Sequence, residues 1–178
     1  MNAKLFAAIA ALTVTVPQFA SAANGNITFN GKITPQTCVI SGNGTTSTDF
    51  TVTLPEVSVS TLDSAGRTAG RTPFSIGLNC TPSTGSVHAY FEPGANVDTA
   101  TGRLNVLPGG ATNVQIGLLN AANSSKINLG AADAAQNSIA VPLVGGIATL
   151  NYYAEYVATG IATPGAAESS VMYTIVYQ

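Results

Sequence analysis

Val171-Met172-Tyr173-Thr174-Ile175-Val176-Tyr177-Gln178 closes the sequence, apolar on both faces and followed by no polar tail. Val171, Tyr173, Ile175 and Tyr177 share one face of the extended chain, while Met172 and Val176 contribute to the other. A strand of this kind is normally central or covered, because an open apolar edge invites aggregation. Near the other end, Ile27, Phe29, Gly31 and Ile33 alternate with Thr28, Asn30 and Lys32. One face is apolar except for a glycine and the other is polar, which suits a strand lying over a core with its back to water. Taken alone, the two patterns fit two strands in one sheet of a complete sandwich.

Between them, short runs rich in β-branched or aromatic residues recur between Gly, Pro and Asn punctuation. The strands expected are Asn26–Ile33, Cys38–Ile40, Phe50–Leu54, Phe74–Asn79, Val87–Glu92, Arg103–Val106, Val114–Asn120, Ile139–Pro142, Ala148–Ala158 and Val171–Gln178. Turns are marked by Ser41-Gly42-Asn43-Gly44, Pro82-Ser83-Thr84-Gly85, Pro93-Gly94, Pro108-Gly109-Gly110 and Gly145-Gly146. Only Ala131–Gln136 reads as helical, and it is too short to stand without tertiary support. Short strands at this spacing predict one antiparallel β-sandwich domain.

Composition narrows the function. The 178 residues carry 6 Lys+Arg against 8 Asp+Glu, so no basic surface is expected for nucleic acid. One His and two Cys do not make a zinc site of the usual kind, and neither metal nor cofactor is expected. Lys4 followed by the largely apolar run from Leu5 to Val16 and then Pro17-Gln18-Phe19-Ala20-Ser21-Ala22-Ala23 has the three-part layout of a secretory signal. Residues 1–22 are read as that signal, with cleavage after Ala23 nearly as good. An exported chain favours a bridge between its only cysteines, Cys38 and Cys80.

Catalytic readings find little support. His88 has no companion histidine and reads as a surface residue. Neither Glu92 with Asp98 nor Glu155 with Glu168 is brought together by sequence as a glycosidase pair, and solvated charges are expected. The serines lack a G-x-S-x-G elbow. Arg67 and Arg71 fall in a Gly-rich stretch read as a loop. No enzymatic activity is expected.

Three groups of residues occur in a fixed order. Gly25-Asn26-Ile27-Thr28-Phe29-Asn30-Gly31-Lys32-Ile33 precedes Cys38. Leu54-Pro55-Glu56-Val57, Gly66 and Gly70 lead into Thr72-Pro73-Phe74-Ser75-Ile76-Gly77-Leu78-Asn79-Cys80. Tyr152-Tyr153-Ala154-Glu155-Tyr156-Val157-Ala158-Thr159-Gly160, Thr163-Pro164-Gly165-Ala166-Ala167 and Tyr173-Thr174-Ile175-Val176-Tyr177-Gln178 follow. This ordered set resembles the major fimbrial subunits of Gram-negative bacteria built by the chaperone–usher route, the type 1 fimbrin group. The resemblance implies an all-β, incomplete immunoglobulin-like sandwich completed by a donor strand from a neighbouring subunit. It implies a donor extension at 23–35, with Ile27, Phe29, Gly31 and Ile33 as the donor face, and a pilin domain at 36–178. It further implies an acceptor groove and chaperone-binding strand carrying Val171, Tyr173, Ile175, Tyr177 and Gln178, with the free carboxylate held by the chaperone's basic residues. The partners implied are a periplasmic chaperone, an outer-membrane usher and further pilin subunits in a linear homopolymer. The product is a surface fimbria, reached through the periplasm and supporting adhesion. A minor or tip adapter, or a sugar-binding adhesin-like subunit, is the alternative; the alternating segment at Ile27–Ile33 favours a shaft subunit.

Overall fold

The computed structural model describes residue 28, residues 37–81 and residues 83–178. It divides the chain into two compact units, Met1–Thr34 and Pro35–Gln178. The expected signal peptide at 1–22, the strand at 26–33 and the donor residues Ile27, Phe29, Gly31 and Ile33 lie outside the described residues.

Among the described residues the second unit is built of nine strands: β1 (Thr37–Gly42), β2 (Thr68–Thr81), β3 (Ser86–Phe91), β4 (Val97–Asp98), β5 (Arg103–Asn105), β6 (Val114–Asn120), β7 (Val141–Pro142), β8 (Ile147–Ala158) and β9 (Tyr173–Tyr177). A six-stranded sheet runs in the order β1-β2-β8-β6-β5-β4, and a three-stranded sheet in the order β7-β3-β9. Every pairing is antiparallel. Alternation sends Phe74, Ile76 and Leu78 of β2, Leu150, Tyr152 and Ala154 of β8, and Ile116 and Leu118 of β6 inward. They meet Val87, Ala89 and Phe91 of β3 and Ile175 of β9 from the other sheet. Each large apolar side chain removed from water there contributes about 1.5–3 kcal/mol, so this shared layer is the main cohesive term of the sandwich.

Several sequence expectations are corrected. Residues 50–54 point Phe50, Val52 and Leu54 inward but belong to no strand. β2 starts six residues before the expected Phe74, because a register shift between Ala69 and Thr72 absorbs the glycine-rich stretch. Arg71 is therefore a strand residue, and its Nε donates to Glu155 Oε2 at 2.7 Å. Glu155 is buried rather than solvated, lying opposite Gly117 of β6. The helix shrinks to one turn, α1 (Asp133–Gln136). Its Gln136 side chain accepts from the Phe91 N–H at 2.7 Å and donates to the Phe91 carbonyl at 2.9 Å. Gln136 thus takes the place of a strand neighbour at that edge of β3. His88 is likewise buried, its Nε2 2.7 Å from Asp133 Oδ1.

Cys38 and Cys80 sit directly opposite each other on β1 and β2, with Cα atoms 4.0 Å apart, and are joined by a disulfide. The Cys80 N–H points away from β1, to the Gly146 carbonyl at 2.7 Å. The pair therefore occupies a site without mutual ladder bonds, where facing side chains come closest. The bridge closes 42 residues of sequence. Removing it, as Cys38→Ser with Cys80→Ser, is expected to cost about 4 kcal/mol, measured as a lower urea midpoint; identical midpoints for the two proteins would refute it.

Candidate functional site

The strands leave a groove of about 780 Å³ open into the sandwich. Phe74, Ile76, Leu118 and Ala154 of the six-stranded sheet, with Phe91 of β3, make its floor. Residues 48–54 form one wall and residues 169–175 the other. Beyond Leu54 it continues as a second stretch of about 480 Å³, bounded by Val57, Val59 and Leu62 on one side and by residues 162–167 on the other.

Among the described residues, each wall has an edge without backbone partners. Residues 49–57 make no backbone–backbone hydrogen bond to any described residue. Their alternation is that of a sheet edge, with Phe50, Val52 and Leu54 half-buried and Thr51 and Thr53 exposed. Among the described strands β9 ends its sheet, paired with β3 alone. Upstream of β9, the Glu168 and Ala166 carbonyls accept from the Leu107 and Ala111 N–H groups. A row of backbone donors and acceptors thus borders an apolar floor on each side. Buried or half-buried backbone groups need partners, and an open apolar channel of this size marks a binding surface.

Side chains bridge the walls at one end. The Tyr173 hydroxyl donates to the Thr48 carbonyl at 2.8 Å. The Tyr173 ring meets Phe50 edge-on, with centroids 6.1 Å apart. Phe50 leans on Phe74, and Phe74 on Tyr152, which closes against Phe91. A Cβ at Gly42 would collide with the Phe50 ring, so the glycine ending β1 leaves the space into which that ring folds. Burial, aided by the Asp49 carboxylate, pushes the Tyr173 phenol above its ordinary range, which keeps it a donor.

The sequence-derived residues of the C-terminal strand separate into two groups. Val171, Tyr173 and Ile175 line the groove. Tyr177 is 38% exposed and lies outside the groove lining. Gln178 is held instead against the start of β3, exchanging backbone bonds with Ser86 at 2.9 and 3.0 Å. The opposite wall at Phe50, Val52 and Leu54 was missed as part of the site, although its alternation was visible as a strand. Among the described residues no group of three or more His, Cys, Asp or Glu is placed to hold a metal.

An antiparallel sandwich with an open, strand-wide apolar groove is an incomplete immunoglobulin-like domain, the architecture of a pilus subunit. The chain belongs to the FimA family: the model for "Type-1 fimbrial protein, A" matches residues 54–178. It is 51% identical over 172 residues to the major fimbrial subunit SMF-1 of Stenotrophomonas maltophilia, covering 93% of this chain and 99% of that one. It is 49% identical over 161 residues to the F17 fimbrial protein of Escherichia coli, covering 87% and 88%. Among solved structures, a type I fimbria protein from Burkholderia pseudomallei superposes with a TM-score of 0.56 at 25% identity, over 80% of this chain and 98% of the other. A chaperone–usher pilus structure gives 0.61 at 24% identity, over 93% and 100%, and shows the same fold. The protein is a structural subunit of a surface fimbria, assembling with other pilin subunits, in a family that is not an enzyme class.

Tyr173→Phe removes the one hydrogen bond from the Tyr173 side chain across the groove. A loss of about 1 kcal/mol in the isolated subunit is expected, to be read from chemical denaturation with intact disulfide. An unchanged midpoint would mean that the two walls are not coupled through this contact.

Proposed function

We propose that the groove is the acceptor for one β-strand of a neighbouring subunit, and that Ile27, Phe29, Gly31 and Ile33 are the face this chain donates in turn. The observation that carries the reading is the pair of free backbone edges, residues 49–57 and β9, facing each other over an apolar floor. A single added strand answers both needs at once. Its backbone bonds to the edges while its alternate side chains fill the floor, the general mode of strand addition. Two Ile and one Phe buried this way contribute roughly 5–9 kcal/mol before any ladder bond. That is comparable with the stability of a whole domain, so dissociation is slow. Gly31 suits a shallow part of the groove or a close backbone approach. Because the donor and acceptor surfaces differ, addition is head-to-tail and does not close, and a filament results.

An open groove of this kind invites aggregation before assembly. In this reading a periplasmic chaperone covers it with a strand of its own, the outer-membrane usher exchanges that strand for the next subunit's, and the domains are a signal at 1–22, a donor extension at 23–35 and a pilin domain at 36–178. In the same reading the chaperone holds the carboxylate beyond Tyr177 and Gln178, both exposed at and just after the end of β9.

Phe29→Asp should leave chaperone-bound monomer intact and abolish polymer, seen as loss of the ladder that unboiled surface extracts give on a denaturing gel. Normal fibres from this variant would overturn the donor assignment. Deleting Tyr177 and Gln178 should reduce recovery of subunit with tagged chaperone several-fold, whereas undiminished capture would remove the C-terminus from that contact.

A further inference from the structure

We propose that Val39, Val144 and Ile147 form a docking patch for the groove rim of the consecutive subunit, a second copy of this chain. The inference rests on the donor-strand reading and extends it from a strand to a surface. The outward face of the six-stranded sheet is mostly small or polar here, with Ser41, Gly77, Asn79, Thr149 and Asn151 pointing out. Val39, Val144 and Ile147 break that pattern and are 72%, 75% and 59% exposed. Register gathers them: Val39 pairs with Asn79, and Asn79 with Ile147. Two strand spacings, about 10 Å, therefore separate the outer members of the row. Val144 faces Ile147 across the two-residue turn Gly145-Gly146. Both glycines have positive φ, 60° and 84°, as a tight hairpin of the primed type requires.

The patch is built on the most constrained corner of the domain. The Gly146 carbonyl accepts from the Cys80 N–H, and a Cβ at Gly146 would come within 2.6 Å of the Cys80 carbonyl. Cys80 is bonded to Cys38, the residue before Val39. Three exposed aliphatic side chains are thus held in a fixed arrangement rather than on a loose loop.

Chain length identifies the occupant. Six residue steps separate Ile33 from Val39, a contour of at most about 20 Å. With Ile33 in the next subunit's groove, the receiving end of that groove lies within this distance of the patch. The groove is bordered by exposed apolar residues of its own: Val59 and Met172 line it, and Ile161 precedes the lining residue Ala162. The patch and the rim therefore bury apolar surface against each other and restrain the hinge left by a strand-only connection.

The test uses the full chain assembled with its secretion partners. Val39→Ser, Val144→Ser and Ile147→Ser combined should keep the urea midpoint of the subunit and still yield fibres. Those fibres should fall to monomer at a lower temperature in detergent and show a shorter persistence length by electron microscopy. Ile147→Cys combined with Ile161→Cys, or with Met172→Cys, should give covalent multimers on oxidation in one of the two pairings. Unchanged fibre melting and stiffness would overturn the proposal. So would absence of cross-links in both pairings, including where the triple variant alters rod diameter, since that assigns the patch to lateral contacts. Normal polymer from Phe29→Asp would sink the donor reading itself; blocked polymer there, with an unaltered triple variant, sinks the patch alone.

Discussion

Two facing backbone edges without partners among the described residues are the constraint on which this domain turns. Residues 49–57 present their N–H and C=O groups to no described partner, and β9 uses only the edge that faces β3. Beneath them lies an apolar floor including Phe74, Ile76, Phe91 and Leu118. Side chains can cover part of that floor, as Tyr173 and Phe50 do, but they cannot supply a ladder. Only another extended chain offers donors and acceptors at strand spacing. In the proposed reading, folding and association are therefore parts of one process, and the groove is a strand position that the described residues leave open.

The remainder of the sandwich keeps that position open and in shape. β2 and β8 pair over almost their full lengths and carry most of the floor. The aromatic chain runs from Tyr173 of β9 through Phe50 of the opposite wall to Phe74 and Tyr152 of the six-stranded sheet and back to Phe91 of β3. On the outer face, Arg71 and Glu155 form an ion pair in which the carboxylate is buried and the guanidinium also lies over Tyr153. Such a pair adds little net stability, but losing one partner leaves a buried charge. The disulfide fixes β1 to β2 at the corner where the chain enters the domain.

Local signals were enough for most strands. β6 and β8 carry long β-branched and aromatic runs, and both emerged within a residue of expectation. Errors arose where a neighbour decided the outcome. The Gly-rich stretch holding Arg67 and Arg71 read as a loop, yet pairing with β8 carries β2 through Gly70 by means of a register shift. His88 and Glu155 read as surface charges, because no local pattern announces that Asp133 or Arg71 will arrive from a distant part of the chain. Residues 50–54 have the alternation of a strand but make no backbone ladder with any described residue, since pairing is a property of two segments and alternation belongs to one.

Alternation, turn residues and the cysteine pair were sufficient to specify an all-β domain, its bridge and the apolar character of the terminal strand, because each depends on side chains close in sequence or on a unique pair. Which edges lack a partner among the described residues is a matter of three dimensions. Whether Val171, Tyr173 and Ile175 border a groove or fill a core depends on what stands across from them, and that is set by where residues 48–54 lie as the opposite wall. The separation of Tyr177 from the groove follows for the same reason: β3 begins at Ser86 and takes the chain's last residues as its partner, a matter of register between segments that the sequence leaves far apart.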